Sequence, residues 1–157
     1  MREVFAMADK DWRGILPSLR LPSDPPTLLT DSTSRPRVTA DPKRVLIVED
    51  NIDAARTATL LVSDMGHDAE YAINGYVALS IARRFQPHIV LLDLGLPGLD
   101  GFEVCRRLKR NPEFGTPKVV VVTGYSAEEY REYSRAAGSD LHLIKPVPTS
   151  VLEEVLG

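Results

Sequence analysis

Cysteine is nearly absent from this 157-residue chain, where Cys105 stands alone. One cysteine cannot build an internal disulfide framework, and its scarcity fits a reducing compartment. Long apolar runs are missing as well. No stretch approaches the ~18–20 apolar residues that cross a bilayer. The segment Met1 to Trp12 carries charges where a secretion signal would have an apolar core. Basic excess is also lacking: 19 Lys and Arg against 22 Asp and Glu give a formal net charge of −3. Nothing therefore draws the chain to nucleic acid or to an anionic membrane. There is no internal repeat. The chain reads as cytoplasmic, with neither nucleic acid nor membrane as a partner. What is present, 43% hydrophobic and 26% charged residues, is the composition of a globular domain long enough to bury a core.

Proline is unevenly spread. Pro17, Pro22, Pro25, Pro26, Pro36 and Pro42 all fall before residue 43. Proline at that density forbids a long helix and removes sheet donors. Residues 1–42 are therefore expected to be an extended or disordered Pro-rich N-terminal arm. Its one apolar patch, Asp11 to Leu16, reads as a loosely packed segment or a short docking motif.

From Lys43 the pattern changes. Val45-Leu46-Ile47-Val48 is apolar throughout and suits a strand buried on both faces. It runs straight into Glu49 and Asp50. Further strands are expected over Asp68 to Ala72, His88 to Asp93, Pro117 to Val122 and Leu141 to Ile144. Helices are expected from Asn51 or Ile52 to about Met65, Asn74 to Phe85, Gly101 to about Arg110, Ser126 to about Ala137, and Thr149 to Leu156. Gly66 suits the end of the first helix, and Pro87 stops the second. Ser126-Ala127-Glu128-Glu129 has the capping-box pattern. Strict alternation of strand and helix argues an α/β fold with a parallel sheet covered on both faces.

In such a sheet all C-terminal strand ends share one edge, where open α/β sheets place their ligands. Glu49, Asp50, Asp93, Thr123 and Lys145 all fall there. Singly, each has a duller reading: a solvated strand end, an Asx-turn, a turn cap, a surface lysine. Together their chemistry is complementary. Adjacent carboxylates repel unless a cation lies between them, and Mg²⁺ accepts few protein oxygens while keeping its waters. An ionised Asp93 can act as a nucleophile, with the Lys145 ammonium and Thr123 hydroxyl donating to an incoming phosphoryl group.

The motifs Val-Leu-Ile-Val-Glu-Asp-Asn, Leu-Leu-Asp-Leu-Gly-Leu-Pro-Gly-Leu-Asp-Gly, Val-Val-Thr-Gly and Leu-Ile-Lys-Pro, in that order, make residues 43–157 resemble the receiver domain of two-component response regulators. The resemblance implies a flavodoxin-like (βα)5 fold with strand order 2-1-3-4-5. It makes Asp93 the phosphoacceptor and Glu49, Asp50, Asp93 and the Gly95 carbonyl the Mg²⁺ ligands, with Glu49 acting through water. Thr123 becomes the switch hydroxyl, Lys145 the site lysine, and Lys145–Pro146 a cis peptide bond. The implied partners are a histidine kinase or histidine phosphotransfer protein and a downstream protein bound through the helix 4, strand 5, helix 5 surface. Such a domain is no enzyme beyond self-phosphorylation from a donor and autodephosphorylation.

Three residues depart from the usual pattern. Glu49 replaces the commoner aspartate but keeps a carboxylate. His142 stands where the switch aromatic is usually Tyr or Phe. Gly95 brings no side chain to the phosphoryl site, and with Tyr125 it lies where the family tunes access of water. The loop after Asp93 looks most like stand-alone or hybrid-kinase receivers, and no effector domain is expected after the last helix. The alternative is a receiver-like interaction module that signals without phosphorylation, favoured by His142 and the short last helix. A flavin protein is disfavoured by the missing Gly-rich phosphate loop after the first strand. An aspartyl-phosphate phosphatase would want a second aspartate at Gly95. Cys105 reads as a packing residue. His67 and His88 have no Cys or His partner at metal-ligand spacing.

Overall fold

The computed structural model describes residues 41–124 and 128–157. Five parallel strands, β1 (Arg44–Val48), β2 (Asp68–Ala72), β3 (Ile89–Leu92), β4 (Lys118–Thr123) and β5 (Leu141–Ile144), form one sheet in the order β2-β1-β3-β4-β5. They alternate with α1 (Ile52–Asp64), α2 (Gly75–Phe85), α3 (Gly101–Arg110), α4 (Glu128–Ala137) and α5 (Thr149–Leu156). This is the expected fold class, strand order and helix count. The arm expected over residues 1–42 lies outside the described residues except for Asp41 and Pro42, and the capping-box residue Ser126 lies outside them too.

The two-residue period of the strands sorts the core into two layers. Leu46, Val48, Val90, Leu92 and Val119 face Ala78, Ile81 and Ala82 of α2, Val104, Cys105 and Leu108 of α3, and Ala137 of α4. Val45, Ile47, Ile89, Leu91 and Val120 face Val62 of α1 and Leu152, Val155 and Leu156 of α5. The central strands β1 and β3 are covered on both faces, which is why their sequences are unbroken apolar runs rather than alternating ones. Cys105 is fully buried, its Sγ 3.6 Å from the carbonyl oxygen of Ala137. Burial pushes its thiol pKa up to about 11, so it is an inert packing residue.

Helix starts follow local chemistry. The side chains of Asn51, Asn74 and Asp100 accept from the backbone N–H of Ala54, Val77 and Glu103, satisfying donors the first turn leaves open. Asn51 and Asn74 are therefore caps, one residue outside the helices that they begin. α2 ends at Gln86, which takes the left-handed conformation (φ 51°) in front of Pro87. One turn of 3₁₀ helix, Pro112–Phe114, inserts Phe114 into the core between α3 and β4 and was not expected from sequence. The parallel registers Val48↔Leu92, Leu92↔Val121 and Thr123↔Ile144 bring the residues after β1, β3 and β5 to one edge with the end of β4.

Candidate phosphoacceptor and metal site

Each carboxylate is placed by the end of a strand. Glu49 follows β1 and is tied into the sheet by its own N–H donating to the Ala72 carbonyl at 3.0 Å. Asp93 follows β3, its N–H donating to the Val48 carbonyl at 2.9 Å. Asp50 begins the turn into α1 and is exposed, whereas Glu49 is buried and Asp93 half-buried. One carboxylate oxygen from each of Glu49, Asp50 and Asp93 lies within 4.8 Å of the others. The Lys145 ammonium donates to Glu49 Oε2 at 2.5 Å and to Asp93 Oδ2 at 2.7 Å. The Gly95 N–H donates to Asp93 Oδ1 at 3.1 Å, and the Asn51 N–H to Glu49 Oε1 at 3.2 Å.

Two carboxylates beside each other are thus held by one ammonium. Burial pulls the Lys145 pKa down, but its hydrogen bonds and charge attraction to Asp93 and Glu49 outweigh that, leaving it above the ordinary lysine value. Lys145 therefore stays charged at neutral pH. Its N–H donates to the Thr123 carbonyl at 2.9 Å, which fixes the β5 end against the β4 end. The Lys145–Pro146 bond is cis, as expected. Thr123 is fully buried at the end of β4. The surroundings of Gly95 and Gly124 are open. A methyl group at Gly95 would sit 3.8 Å from Asp93 Oδ1, and one at Gly124 would meet nothing within 4 Å.

The donor set tests well against a hard divalent cation: three carboxylates from two strand ends, all oxygen, converge at one exposed edge. Among the described residues these three form a group that could hold a metal ion. The structure thus brings Glu49, Asp50, Asp93, Gly95, Thr123 and Lys145 to the same sheet edge. His142 stands apart, in the middle of β5 opposite Val121. Its Nδ1 lies 3.1 Å from Ser134 Oγ of α4, and that hydroxyl donates to the Tyr130 carbonyl at 2.6 Å. With its one proton so used, the hydroxyl accepts, and the His142 proton facing it sits on Nδ1. Tyr125 lies outside the described residues.

One feature of the site was missed from sequence. A mostly apolar cavity of about 580 Å³ opens beside the carboxylates, between α1 and the start of α5. Ala54, Thr57, Ala58 and Leu61 line it from α1, Val147 and Leu152 from the other side, and Asp53, Glu49, Asp93 and Lys145 are also on its wall. The signal was available: 54, 57, 58 and 61 share one helix face at the 3.6-residue period.

Comparison with known proteins agrees with this geometry. A family model described as the response regulator receiver domain matches residues 45–156. The chain is 31% identical over 118 residues to protein PilG of Pseudomonas aeruginosa, covering 75% of this chain and 85% of that one. It is 32% identical over 109 residues to protein PilH of the same organism, covering 69% and 90%. The crystal structure of a CheY-like response regulator receiver domain protein from Methanospirillum hungatei superposes with a TM-score of 0.65 at 27% identity, covering 73% of this chain and 91% of that one.

Proposed function

This chain belongs to the response regulator receiver domain family, and from that premise we propose that Asp93 accepts a phosphoryl group from a histidine kinase or a histidine phosphotransfer protein. Receiver domains are signalling modules of two-component systems. The observation that carries the finer reading is the Asp93 carboxylate held within 2.7 Å of the Lys145 ammonium inside a three-carboxylate cluster.

In the proposed reaction an Asp93 oxygen attacks phosphorus, the phosphorus–nitrogen bond of the donor imidazole breaks, and the ring leaves with the electron pair and takes up a proton. The product is an acyl phosphate on Asp93. The cation would be Mg²⁺, which Glu49, Asp50, Asp93 and the Gly95 carbonyl would hold, with Glu49 reaching it through water. When bound, Mg²⁺ neutralises charge on the phosphoryl oxygens. Lys145, now paired with Glu49 and Asp93, turns one N–H to a phosphoryl oxygen. The Thr123 hydroxyl supplies a second donor. The work of the site is positioning and charge neutralisation. The apolar cavity beside the carboxylates suits an apolar side chain of the donor, which would hold its imidazole in line with Asp93.

Phosphorylation of Ser, Thr or Tyr adds about −1.5 to −2 charge, and a similar change at Asp93 would draw Thr123 toward it. The Thr123 end of β4 is bonded to β5, and His142 ties β5 to α4, so the displacement is read out on the α4, β5, α5 surface by a downstream protein. Incubation with a small phosphodonor and Mg²⁺, followed by intact mass measurement, tests the proposal. The wild type gains one phosphoryl group and Asp93→Ala gains none. Labelling retained in Asp93→Ala, or absent from the wild type, overturns it. An unlabelled wild type that still binds its partner would point to the interaction-module alternative.

A further inference from the structure

Two histidines lie at the sheet edge opposite the carboxylate site, and each accepts a hydrogen bond from the start of β1. The Lys43 N–H donates to His67 Nδ1 at 3.2 Å, and the Arg44 N–H donates to His88 Nδ1 at 3.0 Å. These are consecutive backbone amides. An Nδ1 that accepts carries no proton, so the buried His67 ring is neutral with its proton on Nε2. Protonating the His67 ring replaces an acceptor with a donor facing an N–H. His67 is 8% exposed and His88 is exposed.

The same segment holds α5. The Lys43 ammonium donates to the carbonyls of Leu156 and Gly157, both at 2.7 Å, and Lys118 donates to the Val155 carbonyl at 3.1 Å. A cation on the last carbonyls of a helix satisfies acceptors left open there and complements the helix dipole. The Asp68 N–H donates to the Lys43 carbonyl and the His88 N–H to the Arg44 carbonyl, so Asp68, next to His67, and His88 itself close the frame around both amides. Charged residues at this end of the sheet include Lys43 and Arg44 at β1, Asp64 at the end of α1, Asp68 on β2 and Lys118 on β4, and α5 carries Glu153 and Glu154.

We propose that His67 forms a proton-operated clasp on Lys43, and that its release at acid pH loosens the C-terminal end of α5 through Lys43. The His67 ring is buried beside Lys43. Burial first, and then the Lys43 charge, lower its pKa below the ordinary histidine value of 6.5. The folded-state value lies below the unfolded one, so the stabilisation is complete above the unfolded pKa and is lost as pH falls through the folded one. The window opens below about pH 6.5. It places an acid-sensitive joint at one end of the helix that contributes to the proposed output surface, far along the strands from Asp93.

Solution NMR on the full chain tests this. At pH 7.5 the His67 ring shows the Nε2–H tautomer. As pH falls, the amides of Lys43, Arg44, Leu156 and Gly157 shift together with the His67 ring, while those of Leu46 and Val90 in the sheet centre stay. Between the open- and closed-state pKa values of the ring, the opening constant of the Lys43 amide, corrected for intrinsic exchange, rises by up to about tenfold per pH unit, because opening is linked to one proton. His67→Gln, whose amide oxygen can accept but does not titrate, flattens that dependence. An Nδ1–H tautomer at His67, or His67 protonation that leaves the Lys43 and Leu156 amides unmoved, overturns the proposal. The wild-type titration decides it should His67→Gln fail to fold.

Discussion

Asp50 is the exposed member of the carboxylate cluster, so its weight in cation binding can be set by Coulomb's law in water. A unit charge about 4 Å from another is worth roughly 1 kcal/mol there, and about 2 kcal/mol opposite a divalent ion. Asp50→Asn is therefore expected to weaken Mg²⁺ binding by about thirtyfold, measured by calorimetric titration, while leaving stability without Mg²⁺ almost unchanged at this exposed position. Glu49 and Asp93 differ in kind. Both are paired with Lys145, so neutralising either also leaves a partly buried ammonium with one partner fewer. The sequence showed which residues carry charge. It did not show that the ammonium would bridge the first and third carboxylates, because that contact spans 96 residues in one case and 52 in the other.

At the scale of the element, the loop between β3 and α3 is held by a close approach. A Cβ at Gly101 would lie 2.6 Å from the Asp93 carbonyl oxygen and 2.7 Å from the Leu94 Cα. Only glycine lets the first turn of α3 sit against the backbone of Asp93. Gly101→Ala must push that loop away, and overpacking of this kind costs about 1–3 kcal/mol. The expected outcome is a lower urea midpoint at unchanged slope, together with slower labelling of Asp93 by a small phosphodonor. Element boundaries were legible to within a residue or two where a cap or a proline marks them, as at Asn51, Asn74, Asp100 and Pro87. The 3₁₀ turn at Pro112–Phe114 was not, since three residues are too few to show a period.

For the whole molecule, a cation bound at the strand ends ties β1 to β3 and stabilises the folded state by mass action. At a concentration about one hundred times its dissociation constant the gain is about 2.7 kcal/mol. A domain of this size gains roughly 4 °C per kcal/mol, so Mg²⁺ is expected to raise the melting temperature by about 10 °C. Scanning calorimetry against a sodium salt of equal ionic strength measures the effect, and Asp50→Asn should lose most of it at the same Mg²⁺ concentration. An equal rise in both proteins would mean that the ion acts elsewhere.

The sequence by itself determined the parallel α/β class, the carboxylates and lysine at strand ends, and the approximate helix starts. Each of these follows from periodicity or from bonds between residues a few positions apart. Family resemblance added the strand order and the cis bond before Pro146. Only the tertiary structure decided that Lys145 bridges Glu49 and Asp93, that His142 meets Ser134, and that His67 and His88 accept from the first amides of β1. Those contacts join residues from separate elements, and their geometry is set by how helices pack on the sheet, which no local pattern of side chains encodes.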